Sequence, residues 1–506
     1  MAHNPLAPEW LSSPADANTL TSGLWPASAH RSDAGAITIG GVSAPDLAAR
    51  FGTPLYVVDE TDARTRATEL RAAFDTEFAR IGTTVKVYYA AKAFLSTEVA
   101  RWMVDAGLNI DVCSGGELAV ALAAGVEPAR IGFHGNNKSR TEIDEATRVG
   151  VGTIILDSPI EIVRVAEAAR RHNTVQNVRL RVNSGVHAHT HEFLATSHED
   201  QKFGVVFEDA PALVAAIRAE SSLNFLGLHC HIGSQIFGVD GFAESASRLL
   251  SLHAELLTGG PVPELNLGGG FGIAYTSVDD PSPVADLAAG LADIVAAECA
   301  RRGIPLPVIA IEPGRVIIGP AGVTLYEVGT IKPVRVGDNT RLYVSVDGGM
   351  SDNARPALYG AEFSVRLADR VTDAAPALVR LAGKHCESGD IVVDADYLPG
   401  DVAPGDLVMV PATGAYCWSL ASNYNYLGRP AVVAVADGVA RVIVRGETID
   451  DLLARDAGVE RSAHGVSTSS TGGLGSTGGF GSTGEVGSTS EVSTSSTDED
   501  VKETTR

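Results

Sequence analysis

VKVYYAAKA, residues 85–93, decides the fold once its companions are set beside it. It is a short run of β-branched and aromatic residues that ends in a lysine. Seven similar runs follow: LNIDVCS from Leu108, RIGFHGN from Arg130, GTIILDS from Gly152, NVRLRVNS from Asn177, NFLGLHCHI from Asn224, ELNLGGGF from Glu264 and VIAIEPGR from Val308. Between them lie stretches with apolar residues at i, i+3/i+4 and i+7, such as 97–107, 116–125 and 159–171. That spacing predicts amphipathic helices. Eight strands alternating with helices predict a parallel (β/α)8 TIM barrel over 60–328. Most of the chemically able residues fall at the C-terminal ends of the strands, where barrel active sites are built.

Past about Gly329 the rhythm changes to short strands broken by Gly, Pro and Asp turns. That pattern predicts an antiparallel β-sandwich or barrel. Residues 36–60 also have strand character, so this second domain is expected to be discontinuous, from 30–59 and 329–456. Residues 1–29 form an N-terminal extension. From residue 457 the chain is rich in Gly, Ser and Thr and ends acidic, which predicts a disordered tail.

The 62 acidic against 39 basic side chains disfavour nucleic-acid or anionic-membrane binding, because both need basic surface. Five scattered cysteines without a CxxC pair argue against a disulfide framework or a zinc ribbon. With no signal-like segment and no apolar run of membrane length, a cytoplasmic location is expected.

Lys92 is either a surface terminus of its strand or a charge in the barrel mouth. A desolvated lysine has a lowered pKa and forms Schiff bases. The glycine turns SGGE (114–117), HIGSQ (231–235), GGGFG (268–272) and EPGR (312–315) suit close approach of backbone N–H groups to an anion. Together with Arg315 they suggest a phosphate, and phosphate plus lysine implies pyridoxal phosphate. Cys386, between His385 and Glu387, reads either as an inert buried thiol or as a reactive one. The histidines 187, 189 and 191, and the HxH pair His229 and His231, make a barrel metallohydrolase a rival reading. The run of HCHIGSQ into a Gly-Ser turn favours a cofactor pocket, and no metal is expected.

Taken together, YYAAKAF, DVCSGGE, HEDQKFG, LHCHIGSQIF, NLGGGFG, EPGR, VDGGMSDNARPALYGA, GKHCESGD and ATGAYCWS resemble the diaminopimelate decarboxylases, pyridoxal phosphate enzymes of the alanine racemase-like fold. The resemblance spans roughly residues 50–455. It implies that Lys92 is the Schiff-base lysine and that His231 stacks on the cofactor ring. It implies that Ser234, Gly270, Gly314 and Arg315 hold the phosphate, and that Glu312 pairs with the pyridine nitrogen. Arg315, Arg355 and Tyr359 would bind substrate, Glu387 its distal ammonium, and Tyr416 both cofactor and substrate. Cys386 would protonate the product. Cys386 and Glu387 would enter from the partner subunit, giving a homodimer with shared sites. The implied reaction is meso-2,6-diaminopimelate to L-lysine and CO2, the last step of lysine biosynthesis. A decarboxylase of another basic amino acid or polyamine precursor, and a non-catalytic pyridoxal phosphate carrier, are the remaining rivals.

Overall fold

The computed structural model describes residues 4–185 and 202–459. Eight strands close into a barrel: Val85–Ala90, Asn109–Val112, Ile131–Phe133, Thr153–Leu156, Gln176–Arg181, Leu223–His229, Glu264–Asn266 and Val308–Ile311. Every neighbouring pair is parallel, including the closing pair of first and last strands. These are the eight runs read from the sequence. Most of their β-branched residues are buried, as expected for strands covered on both faces.

Local chemistry sets the helix boundaries. Ser96, Ser114 and Ser139 cap the helices Thr97–Asp105, Gly115–Ala123 and Arg140–Val149 by accepting backbone N–H bonds. Glu142 completes a capping box, and Gly150, at φ 79°, ends the same helix in the left-handed region. The bottom of the barrel is plugged by charge. Glu264 meets Lys86 Nζ and Arg179 Nη2, each at 2.5 Å, and Arg179 also lies over the Tyr88 ring. Removing one partner of such a buried pair costs about 3–5 kcal/mol, so this end of the barrel serves stability.

A nine-stranded sheet forms the second layer, with main-path order Ile391–Pro399, Pro376–Ala382, Asn339–Val346, Gly322–Val336, Leu55–Asp59, Val432–Ala436 and Val439–Val444. Leu407–Val410 pairs with Gly322–Val336, and with Arg366–Leu367. Most pairings are antiparallel, in line with the sequence reading. Two are parallel: Asn339–Val346 with Pro376–Ala382, and Leu55–Asp59 with Val432–Ala436. The second joins strands separated by the whole barrel. Strands so connected are not bound to the antiparallel hairpin geometry.

Of the N-terminal strand-like segment, only Leu55–Asp59 enters this sheet. His30–Arg31, Ile37–Ile39 and Val42–Ser43 form a small sheet of their own. Ahead of it, Ala7 and Leu11 pack on Leu378, Ala395 and Tyr397, while Leu24 and Trp25 join the core around Leu55 and Met409. All five cysteines are free. Among the described residues, no helix is long and apolar enough to cross a membrane.

Candidate active site

The C-terminal ends of the barrel strands converge on one mouth. Lys92 stands in a single turn, Ala91–Ala93, directly after the first strand. The Ala90 N–H donates to the Pro313 carbonyl at 2.9 Å, which joins the first and last strands at that level. Two adjoining cavities, about 310 and 260 Å3, share Ala90, Lys92, His231 and Glu312. The first extends towards Asp111, His134, Arg181 and Phe203. The second runs to Ser234, Gly270, Gly314, Arg315, Arg355 and Tyr416.

Glu312 is the centre of a buried polar cluster. Its Oε1 accepts from Asn266 Nδ2 at 2.6 Å and lies 3.0 Å from His229 Nε2 and 3.4 Å from His134 Nε2. Burial would raise its pKa, but His229 and His134 outweigh that and hold it well below the usual carboxylate range. Asp111, 3.1 Å from His134 Nε2, is pushed well up by burial and by the Glu312 charge. One negative charge therefore resides here, on Glu312. Burial lowers the pKa of His134 and His229 to about 4, against the opposing pull of Glu312. His231 is also driven down, by burial and by the Lys92 charge.

Lys92 departs from the sequence expectation. Burial pulls its pKa down, but the Tyr416 phenol, the Cys113 thiol and Glu312 together outweigh it, and the net shift is upward.

In the second cavity the glycine turns pack backbone on backbone. A Cβ on Gly270, whose φ is 113°, would lie 2.4 Å from the Gly233 carbonyl oxygen, and one on Gly269 would lie 2.1 Å from that of Glu312. Only glycine lets these loop ends approach one another. Arg315 is buried beside them. It donates to Ser234 Oγ at 2.8 Å and to the Tyr275 hydroxyl, and its guanidinium lies 4.6 Å from the Tyr416 ring centre. Burial costs this cation, but Tyr275 and Tyr416 compensate and its pKa is raised.

Arg355 opens the short helix Arg355–Tyr359 and stacks on Tyr275, with its guanidinium carbon 4.5 Å from the ring centre. It is buried, and its Nη1 has no hydrogen-bond partner among the described residues. Such an atom is what an incoming carboxylate would satisfy. The structure thus brings Lys92, His231, Ser234, Gly270, Glu312, Gly314, Arg315, Arg355, Tyr359 and Tyr416 together. It does not bring in Cys386 and Glu387, which are exposed and line neither cavity of their own chain.

The HxH pair does not converge on one point. His229 faces Glu312, whereas His231 Nδ1 accepts the Gly269 N–H at 3.1 Å. His134, His229 and Glu312 do place ligand atoms within 4.8 Å of one another. The histidines 187, 189 and 191 lie outside the described residues, as do most of HEDQKFG and the tail from residue 460. Sequence reasoning missed Asp111, His134 and Asn266 as site residues, although each ends a strand it had identified. It also missed Tyr275, which follows a glycine turn and carries no local signal.

Fold and site together define a pyridoxal-dependent decarboxylase. Residues 65–319 match the family described as pyridoxal-dependent decarboxylase, pyridoxal binding domain. The diaminopimelate decarboxylase of Mycobacterium tuberculosis is 52% identical over 443 residues, covering 86% of this chain and 98% of that protein. The Mycobacterium leprae enzyme is 53% identical over 444 residues, with 86% and 92% covered. Diaminopimelate decarboxylase from M. jannaschii, in complex with L-lysine, superimposes with a TM-score of 0.79 at 31% identity, over 86% of this chain and 98% of that one. The chain belongs to the diaminopimelate decarboxylase family.

The residues present fit pyridoxal phosphate. An ionised Glu312 suits a protonated ring nitrogen, Arg315 and the glycine turns suit a phosphate, and Lys92 lines the same cavities.

Proposed function

We propose that this chain removes CO2 from meso-2,6-diaminopimelate to give L-lysine, as a cytoplasmic homodimer whose two active sites each draw on both subunits. The observation that carries the reading is the shared lining of Lys92, Glu312, Arg315 and Arg355 in one pair of cavities. Lys92 Nζ would hold the cofactor covalently. Ser234, Gly270, Gly314 and Arg315 would hold its phosphate, Glu312 its ring nitrogen and His231 its ring face. When bound, pyridoxal phosphate accepts the electron pair that departing CO2 leaves on Cα.

The chain's own residues orient and protonate. Arg355 and Tyr359 fix the substrate's distal carboxylate, and Glu387 its distal ammonium. Two opposite charges at fixed separation select a substrate with an amino acid group at each end. Once the Cα–CO2 bond breaks, the Cys386 thiol gives one proton to Cα and a C–H bond forms. Cys386 and Glu387 lie outside their own chain's cavities, which supports their delivery from a second copy. Exposed Tyr424 and Tyr426 flank Asn425, which accepts the Cys386 N–H, and exposed Leu358 and Tyr359 end the helix Arg355–Tyr359; apolar surface of this kind is suited to an interface.

Incubation with meso-2,6-diaminopimelate and pyridoxal phosphate should yield lysine and CO2 in equal amounts. Turnover of ornithine or lysine in its place would reject the substrate. A bound divalent metal required for activity would move the His134–His229–Glu312 set to a different chemistry.

A further inference from the structure

The loop that carries Cys386 is pinned at its base and free at its tip. His385 and Asp390 are buried, and the four residues between them are exposed. The Asp390 carboxylate accepts the His385 N–H at 2.7 Å and the Met350 N–H at 2.6 Å. His385 makes the second fastening. Its Nε2 lies 2.8 Å from Ser351 Oγ and accepts the Ser351 N–H at 3.3 Å. With Nε2 accepting, the ring proton is on Nδ1, which meets Asn425 Oδ1 at 3.2 Å. The same Asn425 oxygen accepts the Cys386 N–H at 3.2 Å. Tyr424 stacks on the imidazole with ring centres 5.3 Å apart. Asn425 reaches this place from a left-handed conformation, φ 52°, which asparagine tolerates better than most residues.

One imidazole therefore touches two arms that serve different sites. The Ser351 arm leads to Arg355, in the cavity of its own chain. The other arm leads to Cys386, in the site of the other subunit if the shared-site reading holds. The two arms differ in how far they depend on His385. Ser351 O accepts from the Ser422 N–H at 2.9 Å, Asn353 N–H donates to Gly349 O at 2.9 Å, and Asp352 accepts the Gly349 N–H at 2.7 Å. The Arg355 arm keeps all of these without His385. The Cys386 arm keeps its base, where Asp390 accepts the His385 N–H and the Lys384 N–H donates to the Gly348 carbonyl, but the Cys386 N–H itself keeps only an asparagine that would have lost its orienting partner.

We propose that His385 is a positioning residue that acts on the active site of the other subunit, by fixing the Cys386 backbone through Asn425, and not on the site of its own chain. The proposal rests on the shared-site reading above. Its defect should then follow Cys386 in mixed dimers.

The test uses holoenzyme dimers of tagged chains after demonstrated subunit exchange. His385→Ala should lower kcat about 10²-fold, the scale of a 1 Å misplacement of a reacting group, while the cofactor absorption band stays. Mixed with inactive Lys92→Ala, it should recover up to about a quarter of wild-type activity, because half the dimers are mixed and each has one intact site. Mixed with Cys386→Ala it should recover none. His385→Asn, which keeps a donor near the Nδ1 position, should regain most of the loss. Asn425→Ala should behave as His385→Ala does, and carries the test if the histidine variant fails to fold. The control is Lys92→Ala with Cys386→Ala. If the control recovers and the His385→Ala/Lys92→Ala mixture does not, His385 serves its own chain and the proposal is overturned. If the control fails as well, the shared-site reading falls and takes the proposal with it. Wild-type turnover in His385→Ala would also overturn it.

Discussion

The Tyr416 N–H donates to the Ala93 carbonyl oxygen at 2.7 Å. That bond ties a loop of the sheet to the turn that presents Lys92. Ser419 Oγ adds a second bond to the same carbonyl at 3.0 Å. Tyr416 holds this place at φ 66°, a left-handed conformation that costs a non-glycine residue about 1–3 kcal/mol. Its ring also covers Arg315. The barrel lysine and Arg315 are thus set by one residue of the other layer. Tyr416→Phe keeps the backbone bond and the ring, so cofactor affinity should stay within a few fold. Tyr416→Ala loses the ring over a desolvated guanidinium, a contact worth up to about 2 kcal/mol, and should weaken the cofactor about tenfold in equilibrium dialysis.

Lys92→Ala removes the one lysine that, among the described residues, lines both cavities. The visible absorption band of the loaded enzyme should vanish, and borohydride should fix no cofactor to the chain. A lysine other than Lys92 carrying reduced cofactor would refute the assignment.

Glu312→Gln keeps the size of the side chain and removes its charge. Asn266 and His229 can still hydrogen-bond to the amide oxygen, so the fold should persist. A preorganised charge opposite a reacting system is worth about 10²–10³ in kcat. The variant should lose that much turnover with little change in substrate KM; an unchanged kcat would show that Glu312 is structural.

Gly270→Ala should damage cofactor binding more than stability. The added methyl meets a backbone oxygen at 2.4 Å, in a φ that alanine disfavours. The turn must move, and with it the wall beside Arg315. Cofactor Kd should rise at least about tenfold, and added phosphate should no longer compete for the site.

His253 offers a test of stability against pH away from the site. It is buried on the helix Asp240–Leu257 with Nδ1 unpartnered among the described residues, and burial lowers its pKa to about 4. The unfolded chain takes up a proton near pH 6.5 that the folded chain refuses until about pH 4. Stability through this group is therefore full above pH 6.5 and falls as the pH drops from there towards 4. In denaturant titrations of the protein, wild type should lose about 2 kcal/mol more than His253→Leu between pH 7 and pH 5. Equal losses would show that His253 is not held neutral.

The barrel was legible because its evidence is local. Each strand announces itself by a few β-branched residues, each helix by apolar spacing, and parallel closure puts every strand end at one mouth. Lys92, His231, Glu312 and Arg315 could therefore be assigned to one place from their positions after the strands. The resemblance of the motifs supplied their roles. The charge states were not legible. Whether Glu312 or Asp111 keeps the negative charge depends on His134, His229 and Asn266, which reach Glu312 across the barrel from other strands. Lys92 is held charged by groups as distant in sequence as Tyr416 and Glu312, against the desolvation its position suggests.

The sequence by itself determined the secondary elements, their alternation and the end of the barrel where chemistry belongs, since periodicity and turn residues act within a few positions. Only the tertiary structure decided which side chains share a cavity and which stay outside. It closed Arg355 and Tyr416 of the sheet over the barrel mouth and left Cys386 on an exposed loop of its own chain. Those outcomes rest on contacts between residues far apart in the chain, and no local pattern encodes the packing that brings them together.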